Sequence, residues 1–96
     1  MWEIIFLNEV VLAEFLALPV SARAKFDRIE ELIRSCGLEN LDRPYVAHVT
    51  GKIWEIRIAT KDSNARCLYV TRVGRKIVLL RVFDKKTDKI PRREIE

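Results

Sequence analysis

The sequence predicts an α+β domain, with an N-terminal strand and a two-helix hairpin packed on a small antiparallel sheet of about four strands. Three observations lead there. Residues 9–36 repeat apolar side chains at helical spacing, with a proline between two such stretches. Residues 45–83 hold short apolar or alternating runs joined by polar, glycine-bearing connections. The 96 residues suffice for one domain, 1–96, which buries roughly two-thirds of the surface its unfolded chain exposes.

Each element has its own signal. Trp2 to Leu7 is short, apolar and aromatic and reads as a strand, with Asn8 behind it as a helix cap. From Glu9 to Leu18, the residues Val11, Phe15 and Leu18 recur at i, i+4 and i+7, one face of a helix. Pro19 ends it, because proline removes a backbone donor and disfavours helical angles at Leu18. Ala22, Phe26, Ile29, Ile33 and Cys36 then form the stripe of a second helix, and Gly37 stands where a left-handed C-cap is expected. Two helices separated by three residues imply a hairpin lying on a sheet.

The second half reads as strands. Leu38 to Pro44 is a polar connector and Tyr45 to Val49 a strand, followed by a turn at Thr50 and Gly51. Ile53 to Ala59 alternates, with Trp54, Ile56 and Ile58 on one face and Glu55, Arg57 and Ala59 on the other. Lys61 to Asn64 is a polar loop, Cys67 to Val73 a strand, and Gly74-Arg75 fits a two-residue hairpin turn. Ile77 to Phe83 is nearly continuous in apolar residues, as an inner strand covered on both faces requires. On strict alternation Arg81 falls on the face of Ile77, Leu79 and Phe83, where a charge either pairs with an acid such as Glu55 or faces a groove. Pro91 opens at most one helical turn before Glu96.

Composition limits the function. With 49% hydrophobic and 33% charged residues the chain is globular, and no apolar run approaches the ~18 residues of a bilayer span. The start, MWEIIFLNEV, has no basic region and carries Glu3 and Glu9, so it does not read as a secretory signal; a cytoplasmic location is expected. Cys36 and Cys67 lack metal-ligand or C-x-x-C spacing and read as small buried residues. Glycine-rich phosphate loops, H-E-x-x-H and G-x-S-x-G are all missing from the sequence, and neither cofactor nor metal is expected.

Charge is divided between the halves. Residues 1–50 carry five Lys/Arg against eight Asp/Glu, net −3, whereas residues 51–96 carry thirteen against six, net +7. A basic half on an acidic one favours a polyanion partner meeting the second half. The stretch from Gly51 to Pro91 holds Arg57, Lys61, Arg66, Arg72, Arg75, Lys76, Arg81, Lys85, Lys86 and Lys89. Antiparallel pairing through the turn at 74–75 brings Arg66 towards Lys85 and Lys86, and parity places Arg57 away from the core. A working set of this kind suits RNA cleavage by its own 2′-hydroxyl, since cations hold the phosphate and neutralise charge developing on its oxygens. His48, the only histidine, is read either as structural or as an acid/base or RNA contact.

The segments I-W-E-I-R (53–57), A-R-C-L-Y (65–69) and V-L-L-R-V-F-D-K-K-T-D-K-I-P (78–91) resemble the RelE/ParE superfamily of bacterial toxins, most nearly its phage-derived Gp49-like, HigB-type branch. The resemblance implies a single RelE-like toxin domain and ribosome-dependent, metal-independent mRNA cleavage. It also implies neutralisation by a cognate antitoxin of helix-turn-helix type, with operator DNA met only through that complex. The family's catalytic basic residues carry over to Arg57, Arg66, Lys85 and Lys86, and RNA contacts to His48, Lys61, Tyr69, Arg81, Phe83 and Lys89. Members usually continue past the proline into a longer helix, some with a catalytic tyrosine or histidine near their end. Here the sequence stops at Glu96, so the expectation divides between a site working without that residue and an inactive version. Two other readings remain on the same fold: a ParE-like gyrase inhibitor, and a non-catalytic module that only binds an antitoxin.

Overall fold

The computed structural model describes residues 1–41 and 45–85. In chain order it runs β1 (Glu3–Phe6), α1 (Glu9–Leu16), α2 (Val20–Cys36), a single 3-10 turn (Leu38–Asn40), β2 (Val46–Thr50), β3 (Ile53–Ala59), β4 (Asn64–Arg72) and β5 (Lys76–Asp84). The strands form one five-stranded sheet in the order β1-β5-β4-β3-β2. β2 to β5 are the expected four-stranded antiparallel meander, and β1 adds a fifth strand parallel to β5. The result is the predicted α+β class with a mixed sheet.

Local chemistry explains the helix ends. The Asn8 side chain accepts the backbone N–H of Val11 at 3.1 Å, a cap that contributes about 1 kcal/mol. Pro19 starts α2 at φ −56°, near the angle its ring fixes. Gly37 ends α2 at φ +89°, a backbone conformation that side-chain-bearing residues rarely adopt, which favours glycine there. Gly74 and Arg75 both have positive φ, as a tight hairpin requires. Pairing closes at Arg72 and Lys76, however, which leaves Val73 in a three-residue connection.

Both helices pack on one face of the sheet, α1 over β5 and α2 over β3. Val11, Leu18, Ala22, Phe26, Ile29 and Ile33 meet sheet residues that include Ile56, Ile58, Cys67, Tyr69, Leu79 and Val82. Aromatic contacts link the layers: the Phe6 and Phe15 ring centroids lie 5.5 Å apart, and Phe15 meets Phe26 edge-on at 5.0 Å. Each such pair adds ~1 kcal/mol beyond its burial. Cys36 departs from its expected place, because the stripe of α2 has rotated off the sheet by the last turn and leaves it exposed.

One irregularity decides which face carries charge. β4 and β5 slip between Leu68 and Tyr69, which pair with Arg81 and Leu79 and leave Leu80 as an extra residue. Such a bulge inverts the alternation beyond it. Ile77, Leu79 and Val82 therefore belong to the helix-side core, while Arg81 and Phe83 share the opposite register face with Leu68 and Arg66. Strict alternation had put Arg81 beside Ile77 and Leu79; the bulge removes that conflict.

Candidate functional site

On the face away from the helices, β3 presents Glu55 and Arg57 and β4 presents Arg66 and Leu68. Arg57 and Arg66 are direct cross-strand partners, as are Glu55 and Leu68. Two guanidiniums side by side repel each other, and Glu55 offsets that repulsion. Its Oε2 accepts from Arg57 Nε at 2.7 Å and lies 3.5 Å from Arg66 Nε. Arg66 is only 9% exposed and is held further by the Asn64 side chain and, at 3.1 Å, by the Ala65 carbonyl. Its Nε has no hydrogen-bond partner among the described residues. Two guanidiniums held side by side by one carboxylate, one of them partly exposed, are an arrangement suited to an oxyanion.

These groups open onto an edge. β2 begins pairing with β3 at Val46 and Ile56, so β3 runs on beyond it towards Ala59 without a strand partner on that side. Arg57 N–H donates to the Tyr45 carbonyl at 2.7 Å, and Lys25 of α2 donates to the Ala59 carbonyl at 2.6 Å. Among the described residues, this edge forms a cleft of about 210 Å³ lined by Lys25, Tyr45, Arg57, Ala59, Asn64 and Arg66. Three of its six walls are cations, drawn from both layers of the fold.

The end of β5 arrives beside this face. Arg66 pairs with Phe83 and Ala65 with Asp84, and the Lys85 N–H donates to the Asn64 carbonyl at 3.0 Å. The hairpin thus brings Lys85 to the strand end that carries Arg66, while Lys86 and Lys89 lie outside the described residues. Buried Asp84 fixes the corner, accepting from the Ser63 hydroxyl at 2.9 Å and the Asn64 N–H at 3.3 Å. Arg81 meets Glu14 of α1 at 2.9 Å, not Glu55. The other oxygen of Glu14 accepts the Val82 N–H at 2.9 Å, where β5 has passed the end of β1.

The remaining expected contacts are scattered. Tyr69, expected as an RNA contact, is 2% exposed within the helix-side core, where burial pushes its phenol up to about 12. Phe83 is the register partner of Arg66 and is buried among the described residues. His48, on edge strand β2, is exposed, with Nε2 2.8 Å from the Gly51 carbonyl and its ring edge-on to Trp54 at 5.0 Å. Its register partner is Trp54, on the helix-side register of β3, so it is not part of the Arg57–Arg66 cluster. Lys61 sits exposed in the β3–β4 turn. Cys67 is buried and its thiol is pushed up to about 12 by desolvation. Among the described residues, His, Cys, Asp and Glu side chains form no group able to hold a metal.

Sequence reasoning passed over Glu55 as partner of the two arginines, and over Lys25 and Tyr45 as walls of the cleft. Parity already placed Glu55 on the face of Arg57. Lys25 borders the apolar stripe of α2 between Ala22 and Phe26, a boundary position from which a long side chain reaches the sheet edge. Among the described residues no helix is long and apolar enough to cross a membrane. The family model described as Phage derived protein Gp49-like matches residues 13–96. No curated protein matches the chain.

Proposed function

Because the chain belongs to the phage-derived Gp49-like family, a toxin-like family, we propose that it is the toxin of a type II toxin–antitoxin system and cleaves mRNA on the ribosome. The observation that carries this reading is the cross-strand pair of Arg57 and Arg66 on a cationic sheet face, with Lys85 at the neighbouring strand end. In the reaction, the 2′-oxygen attacks phosphorus and the bond from phosphorus to the 5′-oxygen breaks. The 2′-hydroxyl gives up its proton, the leaving 5′-oxygen takes one, and a 2′,3′-cyclic phosphate and a 5′-hydroxyl remain. Guanidiniums stay charged at neutral pH and bind the non-bridging oxygens, so their contribution is to hold the phosphate and stabilise charge that grows in the transition state. Buried Arg66 is the fixed element of this cradle, and the more exposed Arg57 closes on the phosphate. Lys85, whose backbone bonds to Asn64 at the strand end that carries Arg66, adds charge beside the pair, and the family resemblance extends the set to Lys86. The partners of this reading are the ribosome with its message, and a cognate antitoxin.

Expression without an antitoxin should arrest growth and leave cuts in ribosome-bound message. Arg57→Glu, at the more exposed position, should abolish both while the purified variant keeps its circular dichroism, and Arg66→Gln, which sets no second carboxylate against Glu55, should abolish both as well. Growth at the normal rate with intact message under strong expression refutes the proposal. Inhibition of gyrase supercoiling without RNA cleavage assigns the fold to the gyrase-directed class. A stable antitoxin complex from a non-toxic chain makes it a binding module.

A further inference from the structure

A second groove adjoins the cleft. It has a volume of about 450 Å³ and runs along α2, lined by Lys25, Arg28, Leu32 and Tyr45 together with Glu31. Lys25 and Tyr45 are walls of both cavities, so the two lie on either side of these side chains. The order across the surface is Arg66 and Arg57, then Tyr45 with Lys25, then Arg28. This is a partly exposed aromatic ring flanked by cations on either side. Single-stranded nucleic acid is held by that combination, with phosphates on the cations and a base on the ring. A single strand uses both parts of the groove, its phosphates on the cations and a base on the ring.

Resting on the RNA-binding reading above, we propose that the RNA track does not end at the Arg57–Arg66 cleft but continues over Tyr45 onto α2. Lys25 binds the phosphate next to the one held by the arginines, the following base stacks on Tyr45, and Arg28 binds a further phosphate. Lys25 is suited to this because its ammonium has three donors and the Ala59 carbonyl uses one of them. That hydrogen bond pins the ammonium at the junction before RNA arrives, which lowers the ordering cost on binding. Glu31, on the far wall, sets the limit of the track, since a carboxylate repels the next phosphate.

Fluorescence anisotropy of the purified chain with labelled three- and eight-nucleotide RNAs, at several salt concentrations, tests this. Lys25→Gln should weaken binding of both RNAs roughly fivefold and lower the slope of log K against log salt by about 0.7, one phosphate on a single strand. Arg28→Gln should do the same for the eight-nucleotide RNA only. Tyr45→Leu, which keeps an apolar body against the core, should weaken the longer RNA roughly tenfold without changing the salt slope. Lys52→Gln, in the β2–β3 turn, is the control for bulk charge and should change little. Thermal melts identify any variant that has lost stability, and Lys25→Arg should restore the salt slope. The inference is overturned if wild type binds RNA and Lys25→Gln and Arg28→Gln bind it equally well, including the case in which they weaken only an antitoxin complex. If wild type binds neither RNA, the RNA reading of the whole site falls first.

Discussion

Removing the charge of Glu55 separates the worth of its two arginine contacts. The shorter contact, 2.7 Å to Arg57 Nε, involves a side chain that is 37% exposed; the longer, 3.5 Å to Arg66 Nε, joins two side chains that are 13% and 11% exposed. Unit charges ~4 Å apart attract by about 4 kcal/mol at an effective dielectric near 20, before desolvation is subtracted. Water screens the Arg57 contact down to ~0.5 kcal/mol, the range of surface pairs. Arg66 has little water to turn to, and losing its countercharge costs ~2 kcal/mol. Glu55→Gln keeps the shape and an acceptor oxygen, so the expected loss is about 2.5 kcal/mol. For a domain of this size that lowers Tm by roughly 10–20 °C. Urea unfolding followed by tryptophan fluorescence, for the single variants and for the double variants with Arg57→Gln and Arg66→Gln, gives the coupling energies. The Glu55–Arg66 coupling should be about 2 kcal/mol and the Glu55–Arg57 coupling below about 1 kcal/mol. A larger coupling to Arg57 would refute the argument that burial outweighs distance at this site.

Other consequences follow from single contacts. Glu14→Ala strips the Val82 N–H of its acceptor and takes the carboxylate from Arg81, and should cost ~2 kcal/mol in urea unfolding; Glu14→Gln, which keeps an acceptor, should cost about half that. Equal losses would show that the N–H cap contributes nothing. Tyr69 and Cys67 both ionise only near 12 in the folded chain, against 10.0 and 9.0 as ordinary values. The unfolded chain therefore releases these protons first as pH rises, so their contribution is complete below pH 9 and falls progressively between pH 9 and 12. The loss approaches ~1.4 kcal/mol per pH unit for each group; Tyr69→Phe and Cys67→Ala should each remove one part of the slope. Exposed Cys36 should react with a thiol reagent within minutes at pH 8, whereas Cys67 should react only on unfolding, and simultaneous labelling of both would contradict the burial of β4.

The site has one structural consequence that links stability to function. Arg57 and Arg66 are adjacent because β3 and β4 are paired in one register, and Glu55 makes that adjacency tolerable. A slip of β4 by one residue against β3 would turn Arg66 towards the helix-side core, leave Arg57 outside, and separate the pair. The apolar partners Ile56–Cys67 and Ile58–Ala65, all fully buried, prevent the slip. The core therefore sets the spacing of the cationic pair.

The sequence by itself determined the class of fold, the two helices and the order of the strands, because these follow from short-range periodicity and from Pro19, Gly37 and Gly74, whose preferences are local. It also determined that Arg57 leaves the core, since β3 alternates without interruption from Ile53 to Ala59. The face of Arg81 was not legible, because a bulge is a property of two paired strands and Leu80 looks like any other apolar residue of β5. Nor was the choice of Glu14 over Glu55 as its partner, since 67 residues separate Arg81 from Glu14 and only the docking of α1 over β5 joins them. β1 read as a strand, but its parallel place beside β5 depended on where the helical hairpin returned the chain. The cleft depended most on tertiary structure. Among the described residues its floor is the end of β3 beyond the β2 pairing, and its third cation comes from α2, a helix whose sequence half is acidic. Charge counted along the chain pointed to residues 51–96; packing across two layers is what added Lys25.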